Sequence, residues 1–288
     1  MKKILLFALA AFLAFGVSGV HASQADDIKA LQKYFKKKFP KVKFADYANG
    51  SYALDKAKAI NWESQRDFPP FLDFLDQGEE LWNKKFKNGK SFASCFGNDV
   101  SKVRARYPRW DAASKQVQTL ETEIIACQKA NGEKPFKKKK GKIAYLSAWI
   151  GSQANGQKVN VVVPNDPDAQ AAYEAGKQFF YAKRGQLNFS CADCHVYQAG
   201  KQARGNLLSP VMGHTTHFPV WRGKWARKTA AKGKTPDGFG TLHRRYGGCN
   251  KQVRARPFKA HGTEYRNLEF FHASMSNGLT IDTPDYRE

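Results

Sequence analysis

The chain has 288 residues, enough for roughly two domains, and its 48 Lys and Arg outweigh 25 Asp and Glu to give a formal net charge of +23. So basic a balance calls for anionic partners. Five cysteines are an odd number, which excludes complete pairing into disulfides.

Residues 1–22 read as a secretory leader. Met1-Lys2-Lys3 supplies the positive n-region, and residues 4–17 form an apolar stretch too short and too rich in small residues for a membrane span. Val20-His21-Ala22 fits a small-x-small cleavage site, so the mature chain starts at Ser23 in an oxidising compartment, the periplasm. Residues 26–39 show a helical pattern with Ile28, Leu31, Tyr34 and Phe35 on one side. Helices are also expected over 71–86, 119–128 and 144–152. The lysine run at 137–140, with Lys134 and Lys142 beside it, reads as a solvated loop that steers partners and carries no chemistry. Residues 159–163 are the one β-branched run and predict a strand. Pro164-Asn165-Asp166-Pro167 then marks a linker between domains spanning 23–164 and 165–288. Further helices are expected over 169–182 and 264–276, the last ended by Asn277-Gly278. The class is mainly α, with long loops wrapped around a cofactor.

That cofactor is indicated by Cys191-Ala192-Asp193-Cys194-His195, the C-x-x-C-H attachment signature of a c-type haem. Two thiols add to the haem vinyl groups, and the adjoining imidazole ligates the iron. No second C-x-x-C or H-x-x-x-H pair supports a zinc site, and no βαβ pattern supports a redox dithiol. One covalently bound haem c is therefore expected. An exported haem protein has little occasion to meet nucleic acid, so small anions, an acidic protein or phospholipid are the better partners.

An internal repeat sorts the remaining cysteines. At an offset of 122, Cys127 falls on Cys249, Pro135-Phe136-Lys137 on Pro257-Phe258-Lys259, Leu146 on Leu268 and Asn155-Gly156 on Asn277-Gly278. At an offset of 99, Cys95 falls on Cys194, so Phe92 and Phe96 stand where the second half has Cys191 and His195. Two tandem domains of one fold follow, the first unable to hold haem in this way. If Cys194 and Cys249 face one haem from opposite sides, their counterparts Cys95 and Cys127 are free to meet, and a disulfide between them is expected. Closing a loop of about 30 residues is worth on the order of 3 kcal/mol.

Cys249 is left without a structural task. It sits in Arg244-Arg245-Tyr246-Gly247-Gly248-Cys249-Asn250, with Lys251, Arg254 and Arg256 nearby. Cations favour thiolate, glycines allow close approach to a flat cofactor, and thiolate is a haem axial ligand. Cys249 is the favoured sixth ligand. Met212, Met275, His214 and His217 remain rivals, and His243 and His261 have no special spacing.

With these residues in place, the chain resembles the SoxA family of bacterial sulfur oxidation over nearly its whole mature length. The specific part is Arg245-Tyr246-Gly247-Gly248-Cys249-Asn250, with the Pro257-Phe258 and Asn277-Gly278 landmarks. The resemblance implies a haem-dependent L-cysteine S-thiosulfotransferase that joins thiosulfate oxidatively to a cysteine of a SoxYZ-like carrier. It implies a SoxX-like cytochrome c partner in a heterodimer. It makes His195 the proximal ligand, Cys249 the distal ligand and catalytic sulfur, and Arg245 the active-site cation. Some members carry two haems; Phe92 and Phe96 depart from them, so this chain looks like the single-haem type with a disulfide in the first domain. A thiosulfate dehydrogenase forming tetrathionate, a plain electron-transfer cytochrome and a non-catalytic docking cytochrome are the alternatives.

Overall fold

The computed structural model describes residues 23–203 and 205–287; the predicted leader lies outside them. Ten α-helices and three small sheets are formed among the described residues. Helix α1 (Gln24–Lys38) starts on a reciprocal cap, in which Ser23 and Asp26 each accept the other's backbone N–H. Asp26 and Asp27 in its first turn and Lys36, Lys37 and Lys38 in its last complement the helix dipole. A 3₁₀ segment (Phe44–Leu54) and α2 (Lys56–Asp67) follow.

The first half is then built from α3 (Leu72–Asn83), the short α4 (Ala93–Phe96), the hairpin β1 (Arg109–Asp111)–β2 (Gln116–Gln118), α5 (Leu120–Ala130) and α6 (Lys142–Ser152). The second half opens with α7 (Pro167–Tyr181), capped by Asp166, which accepts from Asp168 N and Ala169 N, with Pro167 entering at the first turn. It continues through the hairpin β3 (Gln202–Ala203)–β4 (Asn206–Leu207), β5 (Val220–Arg222), α8 (Gly223–Ala230), β6 (Phe239–Gly240), α9 (Leu242–Gln252), α10 (Thr263–Ser274) and β7 (Asp285–Arg287). Strand β5 lies centrally, antiparallel to β6 and parallel to β7.

The two halves repeat one helix crossing. In the first, Gly78 of α3 presses on α6: a Cβ there would lie 2.5 Å from the Tyr145 carbonyl oxygen and 2.7 Å from Trp149 Cβ. In the second, Gly176 of α7 presses on α10: a Cβ would lie 2.0 Å from the Asn267 carbonyl oxygen and 3.1 Å from Phe271 Cβ. Tyr145 and Trp149 align with Asn267 and Phe271 in the repeat, so the pairs are equivalent in sequence and in space. The backbones cross at a distance that only glycine permits. The halves meet through Phe71, Phe74 and Tyr145 on one side and Trp221 and Phe239 on the other, with the Phe74 and Trp221 rings 5.1 Å apart.

One sequence expectation is corrected. Residues 159–163 make no named strand. Asn277 holds Val161 by both amide groups, accepting from its N–H and donating to its carbonyl, while Gln24 also donates to that carbonyl; only the isolated bridge Lys158–Thr280 lies beside this run. Side-chain amides thus take the backbone groups that a ladder would use. The N-terminal arm packs largely on the second half. Leu31 and Phe35 of α1 join the core of the second half with Tyr173, Phe180 and Val196. Asp27 accepts from Tyr173 Oη (3.0 Å) and pairs with Lys177 Nζ (2.7 Å), and Lys38 Nζ donates to the carbonyls of Val196 and Tyr197.

Replacing Gly176 with alanine is expected to cost about 1–3 kcal/mol or more through overpacking. A guanidinium midpoint unchanged from that of the native protein would contradict the close crossing.

Candidate functional site

The C-x-x-C-H segment is held as a rigid turn. Ser190 accepts from Asp193 N (2.9 Å), while Asp193 Oδ2 accepts from both the N–H and the hydroxyl of Ser190. A π-helical turn (Asp193–Tyr197) follows and carries His195 inward. His195 Nδ1 lies 2.8 Å from the Ser209 carbonyl oxygen. A carbonyl only accepts, so Nδ1 bears the proton and Nε2 keeps its lone pair. Burial first, and the Arg245 charge, push this imidazole down to about 4, so it is neutral at ordinary pH.

Across from this turn runs α9. Thr241 caps it by accepting from Arg244 N, and the Thr241 N–H donates to the Lys139 carbonyl at 3.2 Å, so the exposed lysine run also anchors the helix start. His243, Tyr246 and Asn250 form its buried face against α10. Tyr246 Oη lies 2.9 Å from His272 Nδ1, Asn250 Nδ2 donates to Tyr265 Oη at 2.9 Å, and His243 Nε2 lies 3.1 Å from Glu269 Oε2. Arg245 and Cys249, one turn apart, are half-buried on another face.

The structure brings Cys191, Cys194, His195, Arg245 and Cys249 to the wall of one cavity of about 730 Å³, completed by apolar side chains that include Phe180, Leu208 and Leu268. Burial pushes the Cys191 thiol up to about 12 and raises Cys194 as well. The donor set fits a covalently attached haem: two unpaired thiols at the right spacing, an imidazole with Nε2 available, and a third cysteine on the opposing helix. A Cβ at Gly248 would meet no atom within 4 Å, so the protein's own packing does not require glycine there.

The rivals for the sixth position are placed differently. Met212 and Met275 lie in the apolar core. His214 does reach the cavity wall, with its ring 4.3 Å from that of His195 and its Nδ1 3.2 Å from His272 Nε2. His217 lines a neighbouring cleft, and His243 and His261 pack together behind α9. Sequence reading missed His272 and Tyr246. His272 sits on the apolar face of α10, where a polar ring is indistinguishable from core, and Tyr246 sits on α9, whose buried face has no apolar stripe to signal it.

In the first half Cys95 and Cys127 form a disulfide with Cα atoms 6.0 Å apart. Phe92 and Phe96, standing at the positions of Cys191 and His195, pack against Trp82, with Phe92 also against Phe86 at 4.9 Å and Phe136 at 6.4 Å. Aromatic rings occupy the space that is a cavity in the other half. Among the described residues no cluster of three or more His, Cys, Asp or Glu is arranged to hold a metal ion by itself, and no helix is long and apolar enough to cross a membrane.

Removing the disulfide as a Cys95→Ser/Cys127→Ser pair is expected to lower stability by about 3 kcal/mol while leaving the visible absorption of the second half unchanged. A spectral change would mean that the two halves share one site.

Comparison with known proteins agrees with this geometry. Residues 77–159 match the model described as SoxA/TsdA, cytochrome c domain, so it is the half with the aromatic filling that carries the recognisable domain signature. The chain is 49% identical over 262 residues to "L-cysteine S-thiosulfotransferase subunit SoxA" of Chlorobaculum tepidum, covering 91% of this chain and 87% of the relative. It is 46% identical to the subunit of the same name from Allochromatium vinosum, covering 93% and 91%. In three dimensions it matches the crystal structure of SoxXA from P. pantotrophus with a TM-score of 0.67 at 30% identity, covering 78% of this chain and 84% of that one. The chain belongs to the SoxA family.

Proposed function

We propose that this chain is the catalytic haem subunit of an L-cysteine S-thiosulfotransferase, joining thiosulfate to a cysteine of a carrier protein in the periplasm. The observation that carries this reading is the placement of Arg245 and Cys249, one helical turn apart, on the wall of the cavity that also holds Cys191, Cys194 and His195. Curated relatives at 46–49% identity bear that activity in their names. One haem c would be held by the second half, attached through Cys191 and Cys194, with His195 and Cys249 as the donors to its iron; residues 165–288 would then be the haem domain and the preceding half the haem-less one. When bound, the haem supplies a one-electron oxidant.

The rest falls to the protein. Thiosulfate is a dianion, and Arg245 offers a fork of N–H donors to its oxygens. Cys249 offers sulfur one helical turn from that cation, on the same cavity wall. The overall change is carrier thiol plus thiosulfate giving a cysteine S-thiosulfonate, one proton and two electrons. Two electrons must leave while one haem would supply a one-electron oxidant, so a partner cytochrome would be needed for the other. The likeness to a SoxXA structure supports a SoxX-like subunit in that role. An acidic SoxYZ-like carrier suits the charge of +23. The leader and the disulfide both favour the periplasm. Thiosulfate dehydrogenation is the alternative and differs in product, tetrathionate instead of a carrier adduct.

Replacing Arg245 with alanine is expected to lower thiosulfate turnover on the order of 10²-fold, the usual loss for a charge-stabilising donor. Undiminished turnover removes Arg245 from the mechanism. Cys249→Ala is expected to abolish turnover and to erase a low-spin thiolate-type EPR signal from the oxidised protein. An unchanged spectrum typical of His/Met or bis-His ligation would make the chain an electron carrier.

A further inference from the structure

Three buried polar side chains on the wall of the cysteine-lined cavity form one hydrogen-bonded chain: Tyr246 of α9, His272 of α10 and His214 of the loop between β4 and β5. Tyr246 Oη lies 2.9 Å from His272 Nδ1, and His272 Nε2 lies 3.2 Å from His214 Nδ1. Both nitrogens of His272 are thus engaged, each by a group from a different segment. Two neutral rings close the chain in either direction, because each contact needs a single proton. The hydroxyl donates to Nδ1 and Nε2–H to His214, or both bonds run the other way.

Each end of the chain bears on one of the two candidate iron donors. Tyr246 precedes Cys249 by three residues on α9, and both line the cavity. At the other end the His214 ring packs 4.3 Å from the His195 ring. The loop that carries His214 is firmly held. The Val211 N–H donates to the His195 carbonyl at 2.8 Å, and the Gly213 N–H donates to Ser276 Oγ at 3.1 Å. Gly213 has a φ of 74°, and a Cβ there would lie 1.7 Å from the Tyr47 carbonyl oxygen, so the loop is pressed against the 3₁₀ segment. His272 itself follows Phe271 on α10, where the Gly176 crossing fixes the helix. A merely space-filling ring at this position would leave the Tyr246 hydroxyl and His214 Nδ1 buried and unpaired, which is costly.

We propose that His272 is a positioning residue for the reaction: it ties the helix that carries Cys249 to the loop packed on His195, and so sets how the two donors stand relative to each other. The inference rests on the reading of His195 and Cys249 as donors to a haem iron. The two come from unlike elements, a turn and a helix, and a donor set is only as precise as the groups that orient it. The bond at Tyr246 stands directly before Gly247 and Gly248, the two helix-weakening residues that precede Cys249. Pinning α9 at that point holds Cys249 where the helix by itself is weakest.

The test uses the haem-loaded chain in complex with its partner cytochrome and carrier. The readouts are the low-spin EPR signal of the oxidised protein and the conjugation of thiosulfate. In His272→Phe, which loses both bonds, the single thiolate-type signal is expected to split into more than one low-spin species. There kcat is expected to fall about 10–100-fold, with the KM for thiosulfate changed far less. His272→Asn and His272→Gln, whose amides stand near the Nδ1 and Nε2 positions and keep one bond each, are expected to recover part of both signal and turnover. Tyr246→Phe removes only a hydroxyl and conserves volume, so it breaks the α9 end of the chain even where His272→Phe fails to fold, and a split signal is expected there too. A single native signal with native kcat in Tyr246→Phe, or no recovery by either amide variant, overturns the inference and leaves the functional reading standing. A native complex with neither a thiolate-type signal nor a carrier adduct overturns both.

Discussion

The site depends on how α9 is pinned to α10. His243, Tyr246 and Asn250 recur at helical spacing and meet Glu269, His272 and Tyr265, three polar contacts of 2.9–3.1 Å inside the core. Buried polar groups are costly unless paired, so these contacts define one rotation of the helix about its axis. That rotation turns Arg245 and Cys249 toward the Cys191–His195 turn. Helix α10 is in turn fixed by α7 through the Gly176 crossing, where a single methyl group would drive the backbones apart. A chain of close contacts thus runs from Gly176 to the Cys249 sulfur.

The same scaffold is completed in two ways. In the second half the core stops at a cavity lined by thiols and an imidazole. In the first, Phe92, Phe96, Trp82 and Trp149 fill the equivalent space, and Cys95–Cys127 ties α4 to α5. A haem contributes a large apolar surface to a core, so a half without one needs other apolar volume and a covalent tie. The ring substitutions and the disulfide are two parts of one compensation.

Charge has at least two separate uses. The lysine run at 137–140 is exposed, suited to long-range attraction, and its backbone happens to cap α9. The residues Arg222, Arg245 and Arg287 are half-buried around one cleft, where water screens their charge less. A bulk charge of +23 cannot distinguish these uses; burial does.

The sequence by itself determined the candidate site residues, because covalent haem attachment demands a fixed local spacing and the duplication left its landmarks in register. It also determined six of the longer helices, whose apolar periodicity and caps are local signals. It did not reveal α2, α8 or α9. Helix α9 has Gly247 and Gly248 in its interior and polar residues on its buried face, so it lacks an apolar stripe and is held by tertiary hydrogen bonds instead. Nor could it place α1, whose amphipathic face suits either core; the Asp27 contacts to Tyr173 and Lys177 decide for the second. The wall of the cleft beside the cysteine-lined cavity is likewise a product of tertiary structure. Lys58, Arg222, Arg245 and Arg287 are scattered over the chain, and only the folding of four segments around one space makes them neighbours.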